Sequence, residues 1–273
     1  MASFESRPQS KLDDQLRFDI LLAEISTFFI NLPVDRIDRE IESTQRRICE
    51  FLAIDRSTLF QVVETDSETL VLTHFYQPPD ILIPPAQMNA KEFFPWTLKK
   101  LLGGETLVIS KLADLPPEAE RDRTNLELYS THSSVMVPLS VGSGQLMGVL
   151  TFGLLREERA WPETVVRQFQ LVAQIFANTL ARKRSENRLC ESEARLRLAT
   201  NAAGVGTWIM EIGTGQVWAT VKTRELFDLT PGEDLTYDSF FKSIHPDDHG
   251  RFRQDVQQAI QSGQELRSEF RIM

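Results

Sequence analysis

The chain has 273 residues, room for two ordinary domains of ~100–200 residues, and its 41% hydrophobic and 25% charged content excludes global disorder. With 39 acidic against 30 basic residues the formal charge is −9, which disfavours a nucleic-acid partner, since phosphate attraction dominates that binding. No apolar run approaches the ~20 residues that cross a bilayer, no signal-peptide pattern opens the chain, and Cys49 and Cys190 stand too far apart for a cysteine zinc site, so a cytoplasmic protein with free thiols and no membrane contact is expected.

The first ten residues carry no periodic pattern and read as a disordered lead-in. From Lys11 to Asn31 the residues Leu12, Leu16, Ile20, Ala23 and Phe28 recur at helical spacing and predict an amphipathic helix with that face buried. Leu32-Pro33 ends it, because proline disfavours helix in the residue before it. A second helix starts near Val34, with Ile37, Ile41, Thr44, Ile48 and Phe51 on its buried face. The period then changes: Ser57 to Val63 and Thr69 to Phe75 are rich in β-branched and aromatic residues, with a turn at Thr65-Asp66-Ser67.

A proline-rich loop from Gln77 to Asn89 precedes a helix over Lys91–Leu102, which Gly103-Gly104 stops. Thr106 to Ser110 reads as a strand and Pro116 to Tyr129 as a helix opened by proline. Ser134 to Val141 and Gln145 to Leu154 read as strands joined by Gly142-Ser143-Gly144, whose glycines permit the backbone angles of a tight hairpin. After Trp161-Pro162 a helical pattern runs to about Thr200 without proline or glycine, ~40 residues or about 60 Å. One small domain cannot bury that length, so part of it stands between domains or against a partner. Short strands follow at Thr207–Ile212 and Gln216–Val221, then a helix over Asp247–Ser262 and a closing strand over Glu265–Ile272.

Three stretches carry a specific likeness. FPWTLKKLLGGETLVISKLADLPPEAERD (Phe94 to Asp122), SSVMVPLSVGSGQLMGVLTFGLLREERAWPE (Ser133 to Glu163) and FANTLARKRSE (Phe176 to Glu186) resemble the GAF modules that precede PAS domains in bacterial sensor kinases. GTWIMEIGTGQVWATVKTRELFDL (Gly206 to Leu229), IHPDD (Ile244 to Asp248) and SEFRIM (Ser268 to Met273) are similar to a PAS domain, although Ile209 and Met210 stand where the subfamily carries an acidic-aromatic pair. The resemblance implies an α+β chain: a lead-in over residues 1–15, a GAF antiparallel sheet with flanking helices over 16–182, a long connecting helix over 163–203 that begins as the last GAF helix, and an incomplete PAS sheet over 204–273. A full PAS sheet has five strands, and this chain stops after the third.

The same resemblance places a ligand cavity between the GAF sheet and a cover running from Gln77 to His132. It puts His74, Phe75, Trp96 and Met136 on its wall and His132 at its edge, although core packing accounts for the same apolar residues. A linear tetrapyrrole needs a cysteine in the cover; Cys49 lies in the second helix, so no covalent bilin is expected, and a haem on His74 or His132 has no other support. No cofactor and no metal are expected. The run His245-Pro246-Asp247-Asp248-His249 reads as a helix start, with aspartates answering the helix dipole and accepting its first N–H groups, rather than as a metal site. Arg182, Lys183, Arg184 and Arg188, flanked by Glu186, Glu191 and Glu193, read as a solvated face laced by ion pairs.

Catalytic signatures are absent: there is no Gly-rich phosphate loop, phosphoacceptor-histidine segment or clustered cysteines. The expectation is a sensory input module, whose parent is a sensor histidine kinase with the output domain missing from this chain. A diguanylate cyclase, an enhancer-binding activator, and a dimerisation module that binds nothing small are the alternatives. Val165, Phe169, Val172, Phe176 and Leu180 recur every three or four residues and predict a homodimer seam along the long helix.

Overall fold

Proline at position 33 does end the first helix: α1 spans Ser6–Ile30 in the computed structural model, which describes residues 6–142, 144–229 and 235–273. The first five residues of the expected lead-in, the Leu12 side chain and Ser143 of the expected hairpin turn lie outside the described residues. The helical segment starts earlier than expected, at Ser6 rather than Lys11. Its buried face also differs. Phe18, Leu22, Ile25 and Phe29 point inward, whereas Leu16, Ile20 and Phe28 are 59%, 52% and 46% exposed. α1 carries two apolar stripes, and the one holding two phenylalanines at inward positions fills more of the core, since aromatic rings bury the largest areas.

A short 3₁₀ turn leads into α2 (Ile37–Leu52), where Ile37, Ile41, Thr44 and Ile48 are buried as expected and Phe51 is 40% exposed. β1 (Arg56–Val63) and β2 (Asp66–Tyr76) form an antiparallel pair, and β3 (Gln87–Asn89) adds an edge strand inside the proline-rich loop. The helix expected from Lys91 is two: α3 (Ala90–Phe93), capped by the Asn89 side chain, and α4 (Pro95–Leu102), separated at Phe94 because Pro95 can open a helix but not continue one. β4 (Leu107–Ile109), α5 (Glu120–Leu128), β5 (Ser133–Leu139) and β6 (Gly148–Leu154) complete the layer. Among the described residues the sheet order is β3-β2-β1-β6-β5-β4, antiparallel throughout.

Strand alternation sends successive side chains to opposite faces and so makes two cores. One face carries Leu59, Val137, Leu150 and Phe152 against α1, α2 and α6 (Glu163–Ala202). The other carries Phe60, Val62, Met136 and Val149 against α3, α4 and α5. The chain divides by contacts into Met1–Glu186 and Asn187–Met273.

In the second unit β7 (Trp208–Met210), β8 (Gln216–Ala219) and β9 (Leu235–Thr236) form a small antiparallel sheet. The Thr220 side chain caps α7 (Val221–Leu226), a capping box at Thr236 starts α8 (Tyr237–Lys242), and α9 (His249–Ser262) follows a 3₁₀ turn. Phe240, Phe241, Ile244 and Phe252 form the core of this unit. The expected strand Glu265–Ile272 does not form. Among the described residues that segment pairs through the Ile244 to Ile272 bridge and is otherwise held by side chains, Arg271 on Asp248 and Ser268 on Asp255.

Candidate functional site

The cover over the second face of the sheet is held by one buried carboxylate. Asp122, on α5 and fully buried, accepts from the N–H groups of Trp96 (3.3 Å) and Thr97 (2.8 Å) at the open end of α4. These N–H groups have no intrahelical partner, so a negative group there satisfies them and complements the helix dipole. Asn125 adds a second tie, donating to the Phe93 carbonyl at 2.6 Å.

Between this cover and the sheet lies a cavity of about 90 Å³. Its hydrocarbon wall includes Phe60, Leu70, Met88, Leu98, Leu101, Met136 and Val149, and its polar wall Arg56, Thr58, Thr131, Ser134 and Thr151. Strand alternation explains the set: Arg56, Thr58 and Phe60 are every second residue of β1, as Val149, Thr151 and Gly153 are of β6. Thr58 and Thr151 satisfy each other at 2.6 Å, and Ser134 donates to the Phe152 carbonyl. Arg56 is different. It is 6% exposed; its Nη2 donates to Tyr129 O (3.1 Å) and Thr131 Oγ1 (2.5 Å), while no protein atom accepts from its buried Nη1. Burial brings its pKa down to about 10, so it is charged at neutral pH. Thr97 Oγ1, also on the lining, is likewise buried without a protein partner.

Of the five residues expected at this cavity, Met136 lines it. His74 does not. Thr73 is an extra residue in β2, opposite the step from Leu59 to Phe60, and this bulge turns His74 to the helix face opposite Leu59. There it is 3% exposed, with Nε2 3.1 Å from Asp38 Oδ1 and Nδ1 2.9 Å from Thr73 Oγ1. Phe75 pairs with Thr58 but lies beyond the cavity and is 37% exposed. Trp96 packs among the cover's side chains without reaching the cavity wall, and His132 is exposed, its Nδ1 on the Ser130 carbonyl. Sequence reasoning missed Arg56, the one charged side chain on the lining among the described residues.

The expected dimer seam is spent elsewhere. Phe169, Val172 and Phe176 are 0% exposed and Leu180 3% exposed, all inside the core that α6 shares with the sheet and α1. The basic run is also not a self-contained face. Arg182 donates to the carbonyls of Phe29 and Leu32, closing the C-terminal end of α1, where unsatisfied carbonyls and the helix dipole favour a cation. Lys183 binds Asp38 and Arg184 donates to Gln61. In the IHPDD segment His245 Nδ1, not an aspartate, accepts from the Asp247 N–H. Asp247 and Asp248 instead hold Arg271, whose hydrogen bonds bring Asp248 down to about 2. No group of side chains suited to a metal occurs among the described residues. Burial pushes the Cys49 thiol well above its ordinary range, so it is inert, and it sits on the face opposite the cavity.

His74 carries a pH prediction. Burial lowers its pKa below the ordinary 6.5, against the opposing pull of Asp38. The unfolded chain therefore binds the proton more readily. The contribution of neutral His74 is present above about pH 6.5 and is lost as pH falls from there through the lowered value of the folded state. Urea midpoints of the first unit should fall between pH 7.5 and pH 5.5, and His74→Gln should flatten that slope. An unchanged slope in the variant would place the acid sensitivity elsewhere.

The first unit has the fold of GAF domains. The GAF domain of a Coxiella burnetii phosphoenolpyruvate-protein phosphotransferase is similar at 19% identity and TM-score 0.52, covering 64% of this chain and 98% of that one. A phycocyanobilin-bound GAF domain from a cyanobacterial phytochrome is similar at 17% identity and TM-score 0.51, covering 62% of this chain and 96% of that one. In the second unit, the family model described as the PAS fold matches residues 216–273. A GAF fold followed by a PAS-like unit is thus the composition of the chain. A blue-light-activated histidine kinase from Brucella anthropi is 30% identical over 81 residues, which are 30% of this chain and 16% of that protein. The chain therefore matches about a sixth of the length of this curated relative. Among the described residues no helix is long and apolar enough to cross a membrane.

Proposed function

We propose that this chain is the sensory input segment of a signalling protein. The GAF-fold unit takes up a small ligand beneath its cover, and α6 relays the change of packing toward the PAS-like unit. The observation that carries this reading is the cavity wall, where Arg56 Nη1 and Thr97 Oγ1 are buried without protein partners. Buried polar groups are almost always satisfied, and two exceptions on one cavity wall are groups that a ligand or bound water would complete. α6 supplies the relay: Phe169 and Phe176 belong to the GAF core, and the helix continues unbroken to Ala202. A histidine kinase is the proposed parent, supported by the partial likeness to the Brucella anthropi enzyme, and the cytoplasm the proposed location. A cavity of about 90 Å³ is well below the ~300–1,000 Å³ of pockets for drug-sized ligands, and no cysteine lines it among the described residues, which argues against a tetrapyrrole.

Ligand uptake should slow amide exchange in α4 and α5 and change it along residues 187–202. Slower exchange in the cover alone would leave the ligand site and remove the relay.

The reading includes a homodimer, placed on the distal part of α6 rather than on the stripe expected from sequence. Leu189 and Leu196, one heptad apart, are 62% and 64% exposed. Sedimentation should show a dimer that Leu196→Glu weakens at least tenfold without changing the urea midpoint of the first unit. A monomer at every accessible concentration would remove this element.

A further inference from the structure

We propose that the ligand of the GAF-fold cavity is a short-chain monocarboxylate whose carboxylate is received by Arg56; this rests on reading the cavity as a ligand site. Arg56 is 6% exposed, and no carboxylate lies within ion-pair distance of it among the described residues. Its sequence neighbour Asp55 accepts from the Leu155 N–H at 2.7 Å and acts on Arg56 only through space, without a hydrogen bond to it. One terminal guanidinium nitrogen, Nη2, serves Tyr129 and Thr131 and orients the group; the other terminal nitrogen, Nη1, has no protein acceptor. A desolvated cation with no carboxylate in hydrogen-bond contact is costly to keep, and guanidinium pairs best with carboxylate and phosphate groups. The acceptor that completes Arg56 is therefore anionic.

The rest of the wall sets the size and body of the molecule. A cavity of about 90 Å³ is far smaller than the ~300–1,000 Å³ of drug-sized pockets, so beside the carboxylate only a short tail fits. Phe60, Leu101, Met136 and Val149 offer that tail hydrocarbon contacts. An inorganic anion would leave this apolar wall unused, and a dicarboxylate would strand its second charge there.

Isothermal titration of the full chain with butyrate, butyramide and nitrate tests the assignment. Butyrate should bind saturably, one per chain, at least tenfold tighter than either of the others, as loss of a charge-assisted hydrogen bond implies. Arg56→Gln should weaken butyrate at least tenfold and bring it level with butyramide, while Arg56→Lys should recover part of the loss. Circular dichroism of each variant separates lost binding from lost fold, and the ligand comparison on the unaltered chain stands even where a variant unfolds. Butyramide binding as tightly as butyrate would overturn the role of Arg56 and leave the cavity a ligand site. Nitrate binding as tightly would overturn the apolar tail. If none of the three binds, the inference and the reading beneath it both fall.

Discussion

Phe176→Glu should abolish the cooperative unfolding transition of the GAF-fold unit, leaving a chain that lacks native near-UV circular dichroism. Phe176 is 0% exposed, and its ring lies 5.5 Å from that of Phe29, so α6, α1 and the sheet meet at this side chain. Losing the buried ring costs about 3–5 kcal/mol, as in other phenylalanine truncations. A carboxylate left in its place without a partner adds several kcal/mol, for a total of the same order as the whole stability of a domain, about 5–15 kcal/mol. The contrast is Leu196→Glu on the same helix, whose site is 64% exposed and whose effect should be confined to association. A Phe176→Glu chain that stays folded and merely becomes monomeric would restore this stripe as an intermolecular seam.

That contrast shows what periodicity can and cannot decide. A three-to-four spacing identifies a packed stripe on α6 but not its partner, and here the protomer's own sheet and α1 take it. On α1 two apolar stripes compete, and only the shape of the core selects the one with Phe18 and Phe29. The order of helices and strands in the GAF-fold unit follows from local signals: Pro33, the β-branched runs at 57–63 and 69–75, and the glycines near 142.

The site was less legible. His74 shares parity with Leu70 and Leu72, which pack toward the cover, so simple alternation assigns it to the cavity; one inserted residue reverses that, and bulges leave little trace in a single sequence. Arg56 did leave a signal. It occupies the same alternation as Thr58, Phe60 and Val62, and a charged residue in phase with an inward face deserved to be read as buried.

Amides in the second unit should exchange roughly a thousandfold faster than the most protected amides of β1, β5 and β6. Local stability follows buried apolar contacts and shielded backbone bonds, and on both counts the units differ. The first has an extensive apolar core on each face of its sheet. In the second, four side chains form the core cluster among the described residues, and the strands run two to four residues. Its apolar surface is poorly covered: Ile209 is 70% exposed, Ile212 67%, Trp218 53% and Val221 74%. Arg271 helps by tying the last residues to Asp248, but its guanidinium is 58% exposed and solvent screening limits what such a pair contributes. A thousandfold ratio corresponds to about 4 kcal/mol of local stability, a gap that this difference in burial readily supplies. Exchange followed by mass spectrometry on the intact chain reads both units at once. If α9 and the residues around Phe240 and Phe252 exchange as slowly as β6 at concentrations where the chain is monomeric, the small phenylalanine core holds the unit by itself. If they slow only as concentration rises, a second copy covers the exposed face that Ile209 and Trp218 present.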